Sequence, residues 1–213
     1  MGLGLRVLLL TLPLAGCAAA DPSPGPVTLS APAAANWRVV ATAEDRKRIG
    51  QWRTAFTQAL GQARAAGHSA EIATEGALLD PDAALAGVEI PKGDYRCRVI
   101  KLGAARAGMG AFTRYPAFAC RVEDEGEVSS FAKMSGSQRP VGLIFDNDTQ
   151  RQIFLGTMML GDERRAIDYG RDADRDMAGA IERIGPARWR MILPYPRFES
   201  VMDVIELVPV SAA

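Results

Sequence analysis

Hydrophobic positions along the chain change their spacing twice, and those changes divide it into segments. From Val7 to Leu14 the residues form an apolar run in which Thr11 is the one polar side chain. From Ala18 to about Asn36, "AAADPSPGPVTLSAPAAAN" is alanine, proline and serine with almost no large apolar side chain. Next, Ile49, Trp52, Phe56 and Leu60, with Ala59 and Ala63 beside them, recur every three or four positions. That spacing predicts one amphipathic helix, capped by Thr42 and with Glu44 and Asp45 in its first turn. Gly67 should stop it, and "SAEIATEGALL" predicts a shorter second helix capped by Ser69. The aromatic stripe reads as a packing face.

After Asp80-Pro81 the period falls to two. Strands are predicted at 94–102, 117–123, 128–134, 140–146, 151–160, 177–184, 187–194 and 200–208, separated by Gly, Pro, Asn and Asp turns. Tight hairpins are expected at Asp146-Asn147-Asp148 and at Gly185-Pro186. Consecutive strands with short connections form an antiparallel meander, which removes its exposed edges most simply by closing. The expected fold is therefore mainly β: an eight-stranded antiparallel meander or barrel with an N-terminal helical arm (α+β). An eight-stranded barrel has room for packed side chains or one small ligand. Trp189, Phe145 and Met191, expected to point inward, would favour filling it.

Two strands share a motif, Cys-Arg-Val, at 97–99 and 120–122. Tyr95, Cys97 and Val99 fall on one face of the first strand; Phe118, Cys120 and Val122 fall on one face of the second. Both cysteines thus point to the apolar side. In an exported protein a disulfide joining Cys97 to Cys120 follows, the alternative being two free buried thiols.

Export is the reading of the N-terminus. Residues 1–16, "MGLGLRVLLLTLPLAG", have one charge, Arg6, before the apolar run, the layout of a signal peptide, and the run is too short to span a bilayer. Leu14-Ala15-Gly16-Cys17 resembles the lipobox of bacterial lipoproteins, which implies lipidation at Cys17 and a membrane partner through the acyl chains. By analogy with enteric sorting, Ala18 implies an outer-membrane address, with the domain facing the periplasm. Residues 17–36 then act as the lipidated cysteine and a disordered tether, holding the domain on the order of 25 Å from the lipid. Residues 37–213 form a single globular domain, with the helical arm at 37–80 and the barrel at 90–210.

Charge narrows the partners. Losing residues 1–16 removes Arg6 alone, leaving 24 basic residues against 25 acidic ones. A near-neutral chain carries no electrostatic footprint for nucleic acid and no polybasic surface for anionic lipid.

Candidate chemistry is sparse. Ser130 and Lys133 have S-x-x-K spacing, but on a strand residues three apart point to opposite faces. Asp172, Asp174 and Asp176 imitate the start of a calcium loop, yet Met177 and Arg183 occupy the places of its glycine and closing glutamate. His68, the only histidine, sits near a helix end with no partner legible as a triad. With Cys17 lipidated, no third cysteine remains for a metal, and no cofactor is implied. Asp203 shares a face with Val201, Ile205 and Leu207, so it should lie inside and need a partner such as Arg139, Arg188 or Arg190. The most suggestive cluster is Ser135, Ser137, Gln138 and Arg139 around Gly136. Those donors could read a ligand carbonyl or carboxylate, with Arg139 binding it bidentately, or could satisfy the loop's own backbone.

"YRCRVIKLG", "SGSQRPVG", "FLGT", "IERIGPARWRMILPYP" and "DVIELVP", with "EGALLDPDAAL", together resemble an alphaproteobacterial envelope family, the domain of unknown function 4893 family, from about Trp37 to Pro209. That resemblance implies an envelope setting but no activity and no catalytic residues. The lipobox, one disulfide and eight short strands also resemble small periplasmic barrel lipoproteins that inhibit proteases or lysozyme, from which the helical arm departs. The leading expectation is a non-enzymatic binding module for an envelope protein partner or small ligand. The alternatives are an envelope hydrolase with a site near Ser135 to Arg139 and an inhibitor-like barrel.

Overall fold

The structure, a computed structural model, describes Met1 and residues 35–210. Residues 2–34, on which the expected signal peptide, lipidated Cys17 and tether fall almost entirely, lie outside the described residues. The helical arm contains α1 (Trp37–Val40), α2 (Ala43–Gly50), α3 (Trp52–Ala65) and α4 (Ser69–Glu75), followed by a 3-10 turn, Gly76–Leu79. Nine strands follow: β1 (Gly93–Ala104), β2 (Phe112–Arg114), β3 (Phe118–Asp124), β4 (Ser129–Lys133), β5 (Gln138–Phe145), β6 (Gln152–Leu160), β7 (Asp176–Gly185), β8 (Arg188–Pro194) and β9 (Ser200–Pro209).

Strands β3 to β9 pair in sequence order, all antiparallel, and β1 joins β3 on one side and β9 on the other, which closes an eight-stranded barrel. The ninth strand, β2, was not legible in the sequence. It pairs with the far half of β1, Ile100 to Leu102, on the side where β3 pairs with Gly93 to Cys97. Strands β2 and β3 are thus one partner of β1, broken at Tyr115-Pro116-Ala117. Proline has no amide hydrogen for a ladder, so the chain leaves the sheet there.

Period-two alternation sorts the side chains into two cores. Inside the barrel, Tyr95, Phe131, Phe154, Ile181, Trp189 and Met191 pack around the Cys97–Cys120 disulfide, whose Cα atoms are 6.0 Å apart. The segment ahead of β1 covers that end: Ile90 joins the interior, the Trp189 indole donates to the Val88 carbonyl at 2.9 Å, and the Tyr95 hydroxyl donates to the Pro91 carbonyl. Outside, Ile100, Leu102, Ile192, Met202 and Val204 pack against Ala55, Phe56, Ala59 and Leu60 of α3. The predicted stripe is therefore the arm's packing face. Phe145, expected inside, belongs to this outer core, because it lies one residue out of phase with the inward Ile144.

Three inward glycines let the wall curl. Gly142 and Gly156 face each other across β5 and β6, and a Cβ added to Gly142 would lie 2.3 Å from the Leu155 carbonyl oxygen. A Cβ on Gly179 would meet the Ile192 oxygen at 2.0 Å. Only hydrogen fits in these gaps, so the strands bend where no side chain can stand.

Some local expectations are corrected. The first helix is two, interrupted at Gln51, where the backbone leaves helical geometry after Gly50. Ser69 is the first residue of α4 rather than its cap, which is His68 and makes no side-chain capping bond. Strands β5 and β6 are joined by a six-residue loop, 146–151, in which the Asp148 carboxylate accepts from the Gln150 and Arg151 amides at 2.8 Å, whereas β7 and β8 are joined by Pro186-Ala187 alone.

Candidate functional site at the barrel mouth

The disulfide end of the barrel is filled; the other end opens into a cavity of about 510 Å³. Its floor is apolar and built from inward residues of five strands: Val99, Met158, Met177, Leu193 and Ile205. Its rim is polar. Lys101 comes from β1, Lys133 from the end of β4, Ser135 and Ser137 from the β4–β5 turn, Gln138 from β5, Glu199 from the β8–β9 loop and Asp203 from β9. Tyr115, Pro116 and Ala117 line one side, so the break between β2 and β3 forms part of the wall.

Three of the rim charges are interlocked. The Lys101 ammonium donates to Glu199 Oε2 at 2.7 Å and to Gln138 Oε1 at 3.2 Å, and it lies 5.7 Å from the centre of the Tyr115 ring. Asp203 is buried and accepts from the Ser200 hydroxyl. Burial pushes the Asp203 carboxyl above its ordinary value, opposed by the nearby Lys101 charge and the Ser200 hydrogen bond. Burial disfavours the Lys101 charge as well, but Asp203 and Glu199 together hold its ammonium above the usual lysine range. Asp203 is therefore inside, as its alternation predicts, but its cationic neighbour is Lys101. The suggested arginines are engaged elsewhere: Arg188 with Glu206, Arg190 with Glu182, and Arg139 with backbone.

Lys133 differs. Its ammonium donates to the Gln138 carbonyl at 2.8 Å and sits 4.3 Å from the centre of the Phe118 ring. Burial, then repulsion from Lys101 and Arg139, lowers its affinity for a proton. Ser130, its S-x-x-K companion, turns to the other face and donates to Glu125 at 3.0 Å, so strand alternation separates the two.

The sequence-predicted cluster splits in the same way. Ser135, Ser137 and Gln138 line the cavity. Arg139, next on β5, points outward and donates to the carbonyls of Gly136, Gly161 and Glu163 at 2.8, 2.6 and 2.7 Å. It ties the β4–β5 turn to the β6–β7 loop and does not face the cavity. Glu199, with Asp203 and Glu206, was a candidate for paired carboxylates in the sequence, and Glu206 instead pairs with Arg98 and Arg188 away from the cavity; Lys101 was not singled out by sequence reasoning. The inward phase of Lys101 with Tyr95, Cys97 and Val99 was the available signal.

Other candidates lie away from the mouth. His68 is bonded to Glu71 Oε1 at 3.0 Å and stacked on Phe112. Asp172 accepts from the Asp174 amide and lies 3.5 Å from Arg175, while Asp176 is buried and accepts from the Gly170 amide. Among the described residues no group of three or more His, Cys, Asp or Glu side chains could hold a metal ion. No helix among them is long and apolar enough to cross a membrane.

No curated protein and no solved structure matches the chain. A family model does, along residues 37–207, which takes in the arm and the barrel through almost all of β9. The chain belongs to the family described as Domain of unknown function (DUF4893).

Proposed function

We propose that this chain is a non-enzymatic binding module of the cell envelope that holds a small amphipathic ligand in the mouth of its barrel. One observation carries the reading: a cavity of about 510 Å³ with an apolar floor and a few convergent polar groups. That volume falls within the roughly 300–1,000 Å³ of small-molecule sites, which share this division of apolar lining and sparse polar contacts. Residues 1–16 as a leader, Cys17 as the lipidated residue and the periplasmic side of the outer membrane as the address complete the proposal. It is supported by the lipobox-like sequence and by a disulfide of the kind that persists in oxidising compartments. A hydrolase centred on Ser135 to Arg139 has less support, since Arg139 is committed to three carbonyls.

Nile red, a neutral dye that brightens in apolar surroundings, tests the cavity. The full-length chain should enhance its emission saturably, and Met158→Trp, which fills the floor, should abolish the enhancement while circular dichroism stays unchanged. Equal enhancement by the wild-type and Met158→Trp chains would place the dye elsewhere and remove the proposal.

A further inference from the structure

The floor and rim of the cavity differ in what they leave unsatisfied. Among the described residues no carboxylate pairs with Lys133, whereas Lys101 is paired with Glu199 at 2.7 Å. The ammonium of Lys133 lines the cavity, and its bonded partner is a neutral carbonyl, that of Gln138. A half-buried cation without a counter-ion retains most of its capacity to bind an anion, and a charge-assisted hydrogen bond is stronger than a neutral one. The surroundings add to this. Lys101 and Arg139 both raise the potential at Lys133, while the rim carboxylates Glu199 and Asp203 are the ones that hold Lys101. Ser135 and Ser137 on the adjoining turn present hydroxyls to the same cavity.

Below these groups lies a floor without charge, in which Met158 and Met177 can adjust to the shape of an alkyl chain. We infer that the ligand of this site is an apolar carboxylic acid, its carboxylate paired with the Lys133 ammonium and its chain lying on the floor made by Val99, Met158, Met177, Leu193 and Ile205. The inference rests on the ligand-binding reading above and specifies the chemistry of its headgroup. Lys133 is the headgroup's counter-ion; Lys101 is already paired with Glu199.

Three ligands of equal chain length separate headgroup from chain: dodecanoic acid, dodecanol and dodecylamine, each titrated into the full-length chain by calorimetry below its aggregation concentration. The acid should bind at least about tenfold more tightly than the alcohol, a difference of about 1.4 kcal/mol, and the amine more weakly than either. Lys133→Met, which keeps the stem and removes the charge, should bring the acid to the alcohol's affinity and leave the alcohol unchanged. Lys133→Arg should restore the preference, which a merely structural lysine would not require. Equal affinity for acid and alcohol in the wild-type chain, with Nile red still bound, overturns the headgroup assignment and leaves the cavity reading standing. So does a Lys133→Met chain that loses acid and alcohol alike. Failure of the dye and of all three ligands to bind overturns the cavity reading, and the headgroup assignment with it.

Discussion

Arg190 offers the sharpest test of how the arm is held on the barrel. Its side chain is fully buried on the outer face of β8, between the sheet and the 3-10 turn. Nε donates to Glu182 Oε2 at 2.7 Å, and Nη1 reaches the carbonyls of Ala77, Leu78 and Asp80 at 3.0, 2.9 and 2.7 Å. Glu182, also fully buried, is shared with Arg151 at 2.6 Å. Burial pushes the Arg190 guanidinium below its ordinary value, and Glu182 opposes that shift. Substituting Arg190→Met keeps much of the volume but leaves the buried Glu182 carboxylate with Arg151 as its one cationic partner and strands three carbonyls. Removing one partner of a buried pair costs about 3–5 kcal/mol, and here the loss combines an under-compensated carboxylate with three carbonyls left without their donor. At roughly 2–4 °C per kcal/mol for a domain of this size, the melting temperature should fall by roughly 6–20 °C. Urea denaturation followed by tryptophan fluorescence measures the loss, and Arg190→Met combined with Glu182→Gln should recover at least about 1 kcal/mol of it by removing the under-compensated buried charge. A loss below about 1 kcal/mol in the single variant, or a double variant no more stable than the single, would refute the claim that this pair joins the two layers.

Three further outcomes follow from the same geometry. Replacing Cys97 and Cys120 by alanine releases a link between residues 23 apart, and the chain-entropy model puts the loss at about 3 kcal/mol, read as a lower urea midpoint; an unchanged midpoint would mean that the bond constrains nothing. Gly142→Ala forces a methyl group onto the Leu155 carbonyl, so the variant should lose its cooperative thermal transition or melt far below the wild type, while a normal transition would show that the wall can yield there. Asp203 binds its proton more tightly in the folded chain than in the unfolded one, where its pKa is about 3.9, so stability contributed by the protonated form is lost as pH rises from about 4 through the raised folded value. Asp203→Asn cannot titrate and should gain stability relative to the wild type over that interval; a stability difference that stays flat with pH would contradict this.

Much of the architecture was legible because alternation is local. Each of the eight barrel strands lies where the period-two pattern places it, and the disulfide follows from two cysteines sharing the inward phase of neighbouring strands. The same rule put Asp203 inside and separated Ser130 from Lys133. It failed for Phe145, where a one-residue error of phase exchanges the barrel interior for the layer under the helices. In this fold both faces of several strands are apolar, so hydrophobicity alone cannot say which face is which.

The sequence by itself determined the position of each of the eight barrel strands, the packing face of the arm and the pairing of the cysteines, because these depend on spacing within one segment or between adjacent ones. Only the tertiary structure decided that β1 meets β9, that Ile90 covers one end while the other stays open, and that Lys101, Glu199 and Asp203 gather at the opening. Lys101 lies about a hundred positions from Glu199 and Asp203 in the chain, and nothing in local periodicity encodes their distance; closure of the barrel does. Arg139 shows the converse, since its neighbours in sequence suggested a ligand contact and the outward phase of one strand residue commits it to three carbonyls instead.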